Sequence, residues 1–210
     1  MLDYSDNLKF VISLLAIVNP IGALPIYISL TDGYRPQERA RIILLTSVAV
    51  VAILLVTLLS GELILRFFGI SIDSFQVGGG LLLLLMAISM LQARTSRVAH
   101  TSDEAEETAD RETIAVVPLA IPLLSGPGAI SAVIVYADKA KEPLAYLITS
   151  AGIFIIGLSI FLSLLAAPFI ARKLGRTGIN IVTRIMGLIL AAIAVEFITT
   201  GLKNIFLPLA

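Results

Sequence analysis

The chain contains no cysteine and only one histidine among its 210 residues. The absence of cysteine excludes disulfides, thiolate metal sites and thiol redox chemistry. The 15 basic and 15 acidic residues cancel, so no positive field points to nucleic acid as a partner. GxxxxGK[ST], HExxH and GxSxG motifs are also missing, which leaves ATP hydrolysis, zinc chemistry and a serine nucleophile without support. We therefore expect no enzyme activity, no cofactor and no bound metal.

What the chain has in abundance is apolar sequence. Hydrophobic residues make up 58% of it, and its mean hydropathy is +0.99. Because soluble domains are closer to half apolar, this composition predicts an all-α membrane protein with the lipid bilayer as its surroundings. Runs of about 20 residues suit six transmembrane helices, at approximately Phe10–Thr31, Ile42–Gly61, Ser74–Ala93, Thr113–Ala137, Leu144–Ala171 and Asn180–Leu202. The first is predicted to be a retained helix, since the leading residues Met1–Asp6 contain no Lys or Arg and the apolar run lacks a small-residue cleavage site at the expected distance.

A polar, acid-rich segment, Arg94–Glu112, divides the chain into two regions, residues 1–93 and 113–210. It cannot bury enough apolar surface to order itself, which predicts a mobile cytoplasmic linker. A regulatory docking role for this segment stays open. Its histidine, His100, is expected to be solvated.

The basic residues predict the orientation in the membrane. With the N-terminus outside, ten Lys and Arg residues fall on the inner side and five on the outer side, which together make up the 15 of the chain. The positive-inside rule therefore favours both termini outside and the linker inside, in the cytoplasmic membrane of a bacterium or archaeon.

The two halves of the chain resemble one another. Residues 69–74 (GISIDS) align without gaps on residues 178–183 (GINIVT), and the same register brings Gly78 onto Gly187. Each motif opens the third span of its half. Because each half holds three spans, an odd number, the second half must enter the membrane upside down. The sequence therefore predicts two inverted three-helix repeats.

The first span of each half contains a proline-glycine break, Asn19–Pro25 (NPIGALP) and Ser125–Ala129 (SGPGA). Proline removes a helix donor and glycine frees the backbone, so helices 1 and 4 should be broken there. Paired breaks in corresponding positions of two halves are typical of a transport site at the bilayer midplane. The alternative is that kinks and glycine-rich faces such as Gly78–Gly80 serve only helix packing.

A broken helix presents unpaired N–H groups at one end and unpaired carbonyls at the other. The first suits a carboxylate and the second an ammonium group, so a zwitterion fits two such breaks without a charged side chain. Asn19 and Ser125 can cap a break or contact substrate. The candidate substrate-binding residues are Asn19, Pro20, Gly22, Ala23, Ser125, Gly126, Pro127 and Gly128.

Two charged residues belong to the last span, Arg184 and Glu196. Twelve residues separate them, about 18 Å along a helix, so they cannot pair directly. Snorkelling to the inner interface accounts for Arg184. Glu196 is a candidate proton carrier, or alternatively a cap for polar groups near Thr200 and Asn204. The coupling ion is expected to be H+ or Na+.

Four stretches in order, NPIGALPIYISLT, FGISIDSFQVGGG, IPLLSGPGAIS and TGINIVTRIMGLILAAIAVEFI, resemble the MarC family of integral membrane proteins. The resemblance covers almost the whole chain. It implies a six-span inner-membrane protein, grouped with LysE-type amino-acid exporters. Some relatives are described as transporters of small neutral amino acids.

The sequence thus favours a secondary transporter, an exporter or exchanger of small neutral amino acids such as glycine or alanine. A channel or a non-transporting scaffold is the alternative, and a membrane enzyme has the least support. Assembly into a homo-oligomer stays open.

Overall fold

A computed structural model describes residues 4–92, 115–139 and 143–207, and every element within these ranges is a helix. The linker at 94–112, with His100, lies outside the described residues. The elements are α1 (Tyr4–Val18), α2 (Leu24–Leu30), α3 (Pro36–Phe67), α4 (Ile72–Leu91), a π-helix called π1 (Ala115–Leu124), α5 (Pro127–Lys139), α6 (Pro143–Leu165) and α7 (Ala167–Phe206).

Four of these helices are long and apolar enough to cross a membrane: α3, α4, residues Leu144–Leu165 of α6 and residues Thr177–Phe206 of α7. Their outward faces carry large apolar side chains, among them Leu59 and Leu188. The all-helical membrane class is thereby confirmed. The first and fourth predicted spans are each divided into shorter pieces, which include the apolar stretches Leu8–Val18 and Pro127–Asp138.

The fifth span ends earlier than the sequence predicted. Helix α6 stops at Leu165, and α7 begins at Ala167 with a proline, Pro168, in its first turn. Proline has no N–H to donate to the preceding turn, so a continuous helix to Ala171 is unfavourable. Within α7, Gly175 adopts φ 61° and ψ −176°, and the last span begins after it, at Thr177.

The two aligned motifs differ in local structure. In the first, Gly69 has φ 68°, and the hydroxyl of Ser71 accepts the N–H of Ser74 at 3.2 Å to cap α4. In the second, Gly178 and Asn180 already lie within α7, and the left-handed backbone occurs three residues earlier, at Gly175. The sequence match is therefore not reproduced residue by residue in the backbone.

Helices α4 and α7 pack antiparallel along their length. Near one end, the amide of Asn204 donates to Asp73 Oδ1 at 2.8 Å. Gly80, halfway along α4, lies against Ala194 and Ile198, and at the other end Gly187 lies against Met90. These glycines allow the close backbone approach that membrane helices use for packing.

Helix α5 lies inside the molecule, because it packs against α1, α3 and α4. Its residues Ala129, Ala132 and Val133 are fully buried. Helix α3 packs on α6 and π1, and α1 packs on α6 and α7. This arrangement brings both helix breaks into the core.

Candidate functional site

The first break begins where α1 ends at Val18. Asn19 donates its N–H to the Leu15 carbonyl at 2.9 Å and then turns to φ 45°, the left-handed conformation common after helix ends. Pro20, which follows, has no N–H and cannot continue the ladder. The chain becomes helical again at Leu24, so five residues separate α1 from α2.

The side chain of Asn19 forms a hydrogen bond within this break. Its Oδ1 accepts the N–H of Gly22 at 3.2 Å, and its Nδ2 approaches Met90 Sδ at 4.0 Å, the weak donor contact that sulfur accepts. Any side chain at Gly22 would collide with this amide. Both ends of the Asn19 amide therefore have protein partners, and the predicted capping role is the one that the structure displays.

The second break is shorter. Ser125 donates its N–H to the Ala120 carbonyl at 2.8 Å, the last bond of π1, and α5 begins two residues later at Pro127. The carbonyl of Gly126 accepts the N–H groups of Ala129 and Ile130 at 2.9 and 3.1 Å. Helix geometry leaves the N–H of Gly128 without an intrahelical acceptor.

Ser125 is the unusual residue of the second break. It is only 1% exposed, and within the described parts of the chain its Oγ has no hydrogen-bond partner. A nearby serine, Ser131, behaves ordinarily, since its Oγ donates to the Pro127 carbonyl at 2.7 Å. A buried hydroxyl without a partner costs about 1–3 kcal/mol, so this position requires an explanation.

The two breaks converge on α4. A side chain at Gly128 would collide with Leu83 of α4 and lie 3.5 Å from Ile17, two residues before the first break. Asn19 reaches Met90 of the same helix. Leu83 and Met90 are seven residues apart, about 10 Å along the helix. Both interruptions thus lie beside the C-terminal half of one helix.

All eight predicted substrate-binding residues belong to the two breaks or to the first turn of α5. Pro20, Ala23, Ser125, Gly126 and Gly128 are buried, whereas Asn19, Gly22 and Pro127 are half-buried. Their contact with a substrate stays a prediction. Among the described residues, no cluster of three or more His, Asp or Glu side chains could hold a metal ion.

The two predicted charged residues lie elsewhere. The side chains of Arg184 and Glu196 are both exposed on α7. Because Gly80 packs against Ala194 and Ile198, Glu196 is level with the middle of α4 but on the opposite face of α7. Asn204, one of the polar groups that Glu196 was predicted to cap, instead bonds Asp73.

Sequence reasoning did not identify the residues of α4 that contact the breaks. Leu83 and Met90 lie in a uniformly apolar run, which carries no signal of a site. The available signal was the glycine triplet Gly78–Gly80. Gly79 lies against Ser131 of α5 and Gly80 against α7, whereas Gly78 has open space around it. Two of the three glycines therefore serve packing, as the alternative interpretation predicted.

Comparison with known proteins places this architecture in a family. The family model described as "MarC family integral membrane protein" matches residues 5–206. The chain belongs to this family. The match confirms the resemblance of the four motifs over nearly the whole chain.

Relatives of similar length occur in bacteria and archaea. The UPF0056 membrane protein YhcE of Escherichia coli is 42% identical over 209 residues, which cover 97% of this chain and 95% of the relative. A UPF0056 membrane protein of Aquifex aeolicus is 41% identical, over 94% of this chain and 92% of the relative. One from Methanocaldococcus jannaschii is 41% identical, over 93% and 95%. No solved structure matches the chain. The family and the composition together establish an integral membrane protein with several apolar helices.

Proposed function

We propose that this chain is a secondary transporter of small neutral amino acids such as glycine or alanine, working as an exporter or exchanger. The observation that carries the proposal is the convergence of two helix breaks beside α4, with Gly128 against Leu83 and Ile17 and Asn19 against Met90. Irregular backbone at membrane depth is tolerated where it is buried in protein or lines a polar cavity. A helix break at this depth presents N–H and carbonyl groups of opposite polarity, which suit a zwitterion.

The proposed architecture is six crossings in two inverted repeats, where α1 with α2 corresponds to π1 with α5, α3 to α6, and α4 to α7. A two-fold relation requires contacts to exchange in pairs. In the described residues α1 packs on α6 as π1 packs on α3, and α2 packs on α7 as α5 packs on α4. The corresponding helices α3 and α6, and α4 and α7, pack against each other. This exchange supports the inverted repeat more directly than the sequence match does.

In this proposal both termini face the outside, as the distribution of basic residues favours. The gradient of H+ or Na+ drives transport, because the sequence contains no phosphate-binding loop for ATP. Its setting is the cytoplasmic membrane of a bacterium or an archaeon, the two groups in which relatives occur.

Flux into proteoliposomes tests the proposal. We expect vesicles with the purified protein to take up labelled glycine and alanine saturably, at a rate that depends on an imposed H+ or Na+ gradient. Protein-free vesicles of the same lipid composition are the control. Unsaturable flux would instead identify a channel, and flux equal to that of the control would leave a scaffold as the function.

A further inference from the structure

We propose that the second break alone holds the substrate carboxylate, through the Ser125 hydroxyl and the Gly128 N–H, and that the first break is a structural cap without a ligand role. This inference rests on the proposed transport function and assigns separate roles to the two breaks. Its starting point is the buried Oγ of Ser125, which has no partner within the described residues.

The N-terminus of α5 is suited to an anion. The helix runs for 13 residues from Pro127, and its aligned peptide dipoles place partial positive charge at this end. Proline offers no N–H, and the next available one belongs to Gly128. A side chain at Gly128 would collide with Leu83, so glycine is the residue that permits this close packing. A hydroxyl and a backbone N–H three residues apart thus remain for a ligand acceptor.

The ligand class follows from charge and size. The break itself, Ser125–Gly128, contains no ionisable side chain to neutralise a second negative charge. A monocarboxylate that carries its own positive group, such as an α-amino acid, therefore fits better than a dicarboxylate. Leu83 and Ile17 lie against Gly128, which restricts the substituent beside the carboxylate to a small one.

The first break differs in the hydrogen bonding of its polar side chain. Both polar atoms of the Asn19 amide are engaged, Oδ1 with the Gly22 N–H and Nδ2 with Met90 Sδ. Each polar atom of the Asn19 amide already has a partner, whereas a ligand at Ser125 would supply the hydrogen bond that this hydroxyl lacks.

Transport kinetics of the full-length protein in proteoliposomes test the assignment. We expect Ser125→Ala to raise the KM for alanine about 10- to 100-fold, since hydrogen bonds to charged groups are the stronger ones. The matched control is Ser131→Ala, which removes a buried hydroxyl with a protein partner and should leave KM within about twofold. Ser125→Cys keeps the shape with a weaker donor, so its KM should be intermediate. Alaninamide, which lacks the carboxylate, should compete poorly with alanine in the wild type.

Two results separate failure of this assignment from failure of the proposed function. If wild-type vesicles transport alanine and Ser125→Ala has an unchanged KM, the carboxylate assignment is overturned and the hydroxyl is a packing feature. If wild-type vesicles carry no alanine, the transport proposal fails, and calorimetric titration of the solubilised protein with glycine and with acetate decides the site. Binding that Ser125→Ala abolishes supports the assignment, and binding that is absent or unchanged overturns it.

Discussion

The two helix breaks look equivalent in sequence and are different in structure. The first spans five residues between α1 and α2 and contains an asparagine that satisfies its own turn. The second spans two residues between π1 and α5 and contains a serine whose hydroxyl is buried without a partner in the described chain. An amide has a donor and an acceptor on a longer side chain, whereas a serine hydroxyl has a shorter reach. The comparison shows that a helix break can satisfy its own polar side chain, as at Asn19, or leave it without a partner, as at Ser125.

The packing around the breaks differs as well. Gly128, in the first turn of α5 after the second break, lies against side chains of two other helices, Leu83 and Ile17. Gly22 in the first break lies against the side chain of its own turn, Asn19. The second break is therefore the junction of α1, α4 and α5, and a change there should disturb more of the molecule.

The largest effect is expected from Gly128→Leu. The new side chain would collide with Leu83, and the resulting displacement of α5 from α4 and α1 should abolish alanine uptake. Overpacking of this kind costs about 1–3 kcal/mol, so membrane insertion should persist. Uptake into proteoliposomes, with the amount of inserted protein measured in parallel, checks both expectations.

The matched control for this variant is Gly78→Leu. Gly78 is exposed on α4, and nothing lies near the position of its missing Cβ. Leucine also favours the helix over glycine, so this variant should insert and transport as the wild type does. Equal losses in the two variants would contradict the idea that close packing at the second break is what matters.

The existence and location of both breaks could be predicted because Pro20 and Pro127 lack the N–H that a helix needs. The membrane class could be predicted because 58% of the residues are hydrophobic, more than in a typical soluble domain. The partners of the breaks could not be predicted, because Leu83 and Met90 are two of many apolar residues in α4 and only the packing of α4 selects them. The early end of α6 could have been predicted, because Pro168 is present in the sequence. The predicted span instead followed the apolar run as far as Ala171.

Substitution of Asn19 is expected to have a medium effect: it should lower stability and change transport little. Its backbone is left-handed, with φ 45°. Asn19→Ala removes the cap and puts alanine, which tolerates a left-handed backbone less well than asparagine, at this position, and the two changes together cost about 1–3 kcal/mol. Asn19→Gly loses the cap but relieves the conformational cost, so it should be the more stable of the two.

Thermal unfolding of the purified proteins should therefore rank wild type first, Asn19→Gly second and Asn19→Ala third. In Asn19→Gly the KM for alanine should stay within about twofold of the wild type, because no substrate contact is removed. A KM increase as large as that of Ser125→Ala would show that both breaks bind substrate, and the distinction between them would be lost.

The smallest effect on binding is expected at Glu196, which tests whether coupling lies apart from both breaks. Ala194 and Ile198 face Gly80 of α4, so Glu196, two residues from each, points away from α4 and the breaks. Glu196→Gln should therefore leave the KM for alanine unchanged.

A carboxylate level with the middle of α4 is nevertheless costly in hydrocarbon unless it is protonated, paired or hydrated. If it carries the coupling proton, Glu196→Gln should flatten the dependence of Vmax on pH, because glutamine keeps the shape and cannot bind or release a proton. The control is Arg184→Gln, at another exposed charged residue of α7, where snorkelling accounts for the charge and the pH profile should be unaltered. An unaltered profile in Glu196→Gln would remove this residue from the coupling mechanism, and a raised KM would place it in contact with the substrate site.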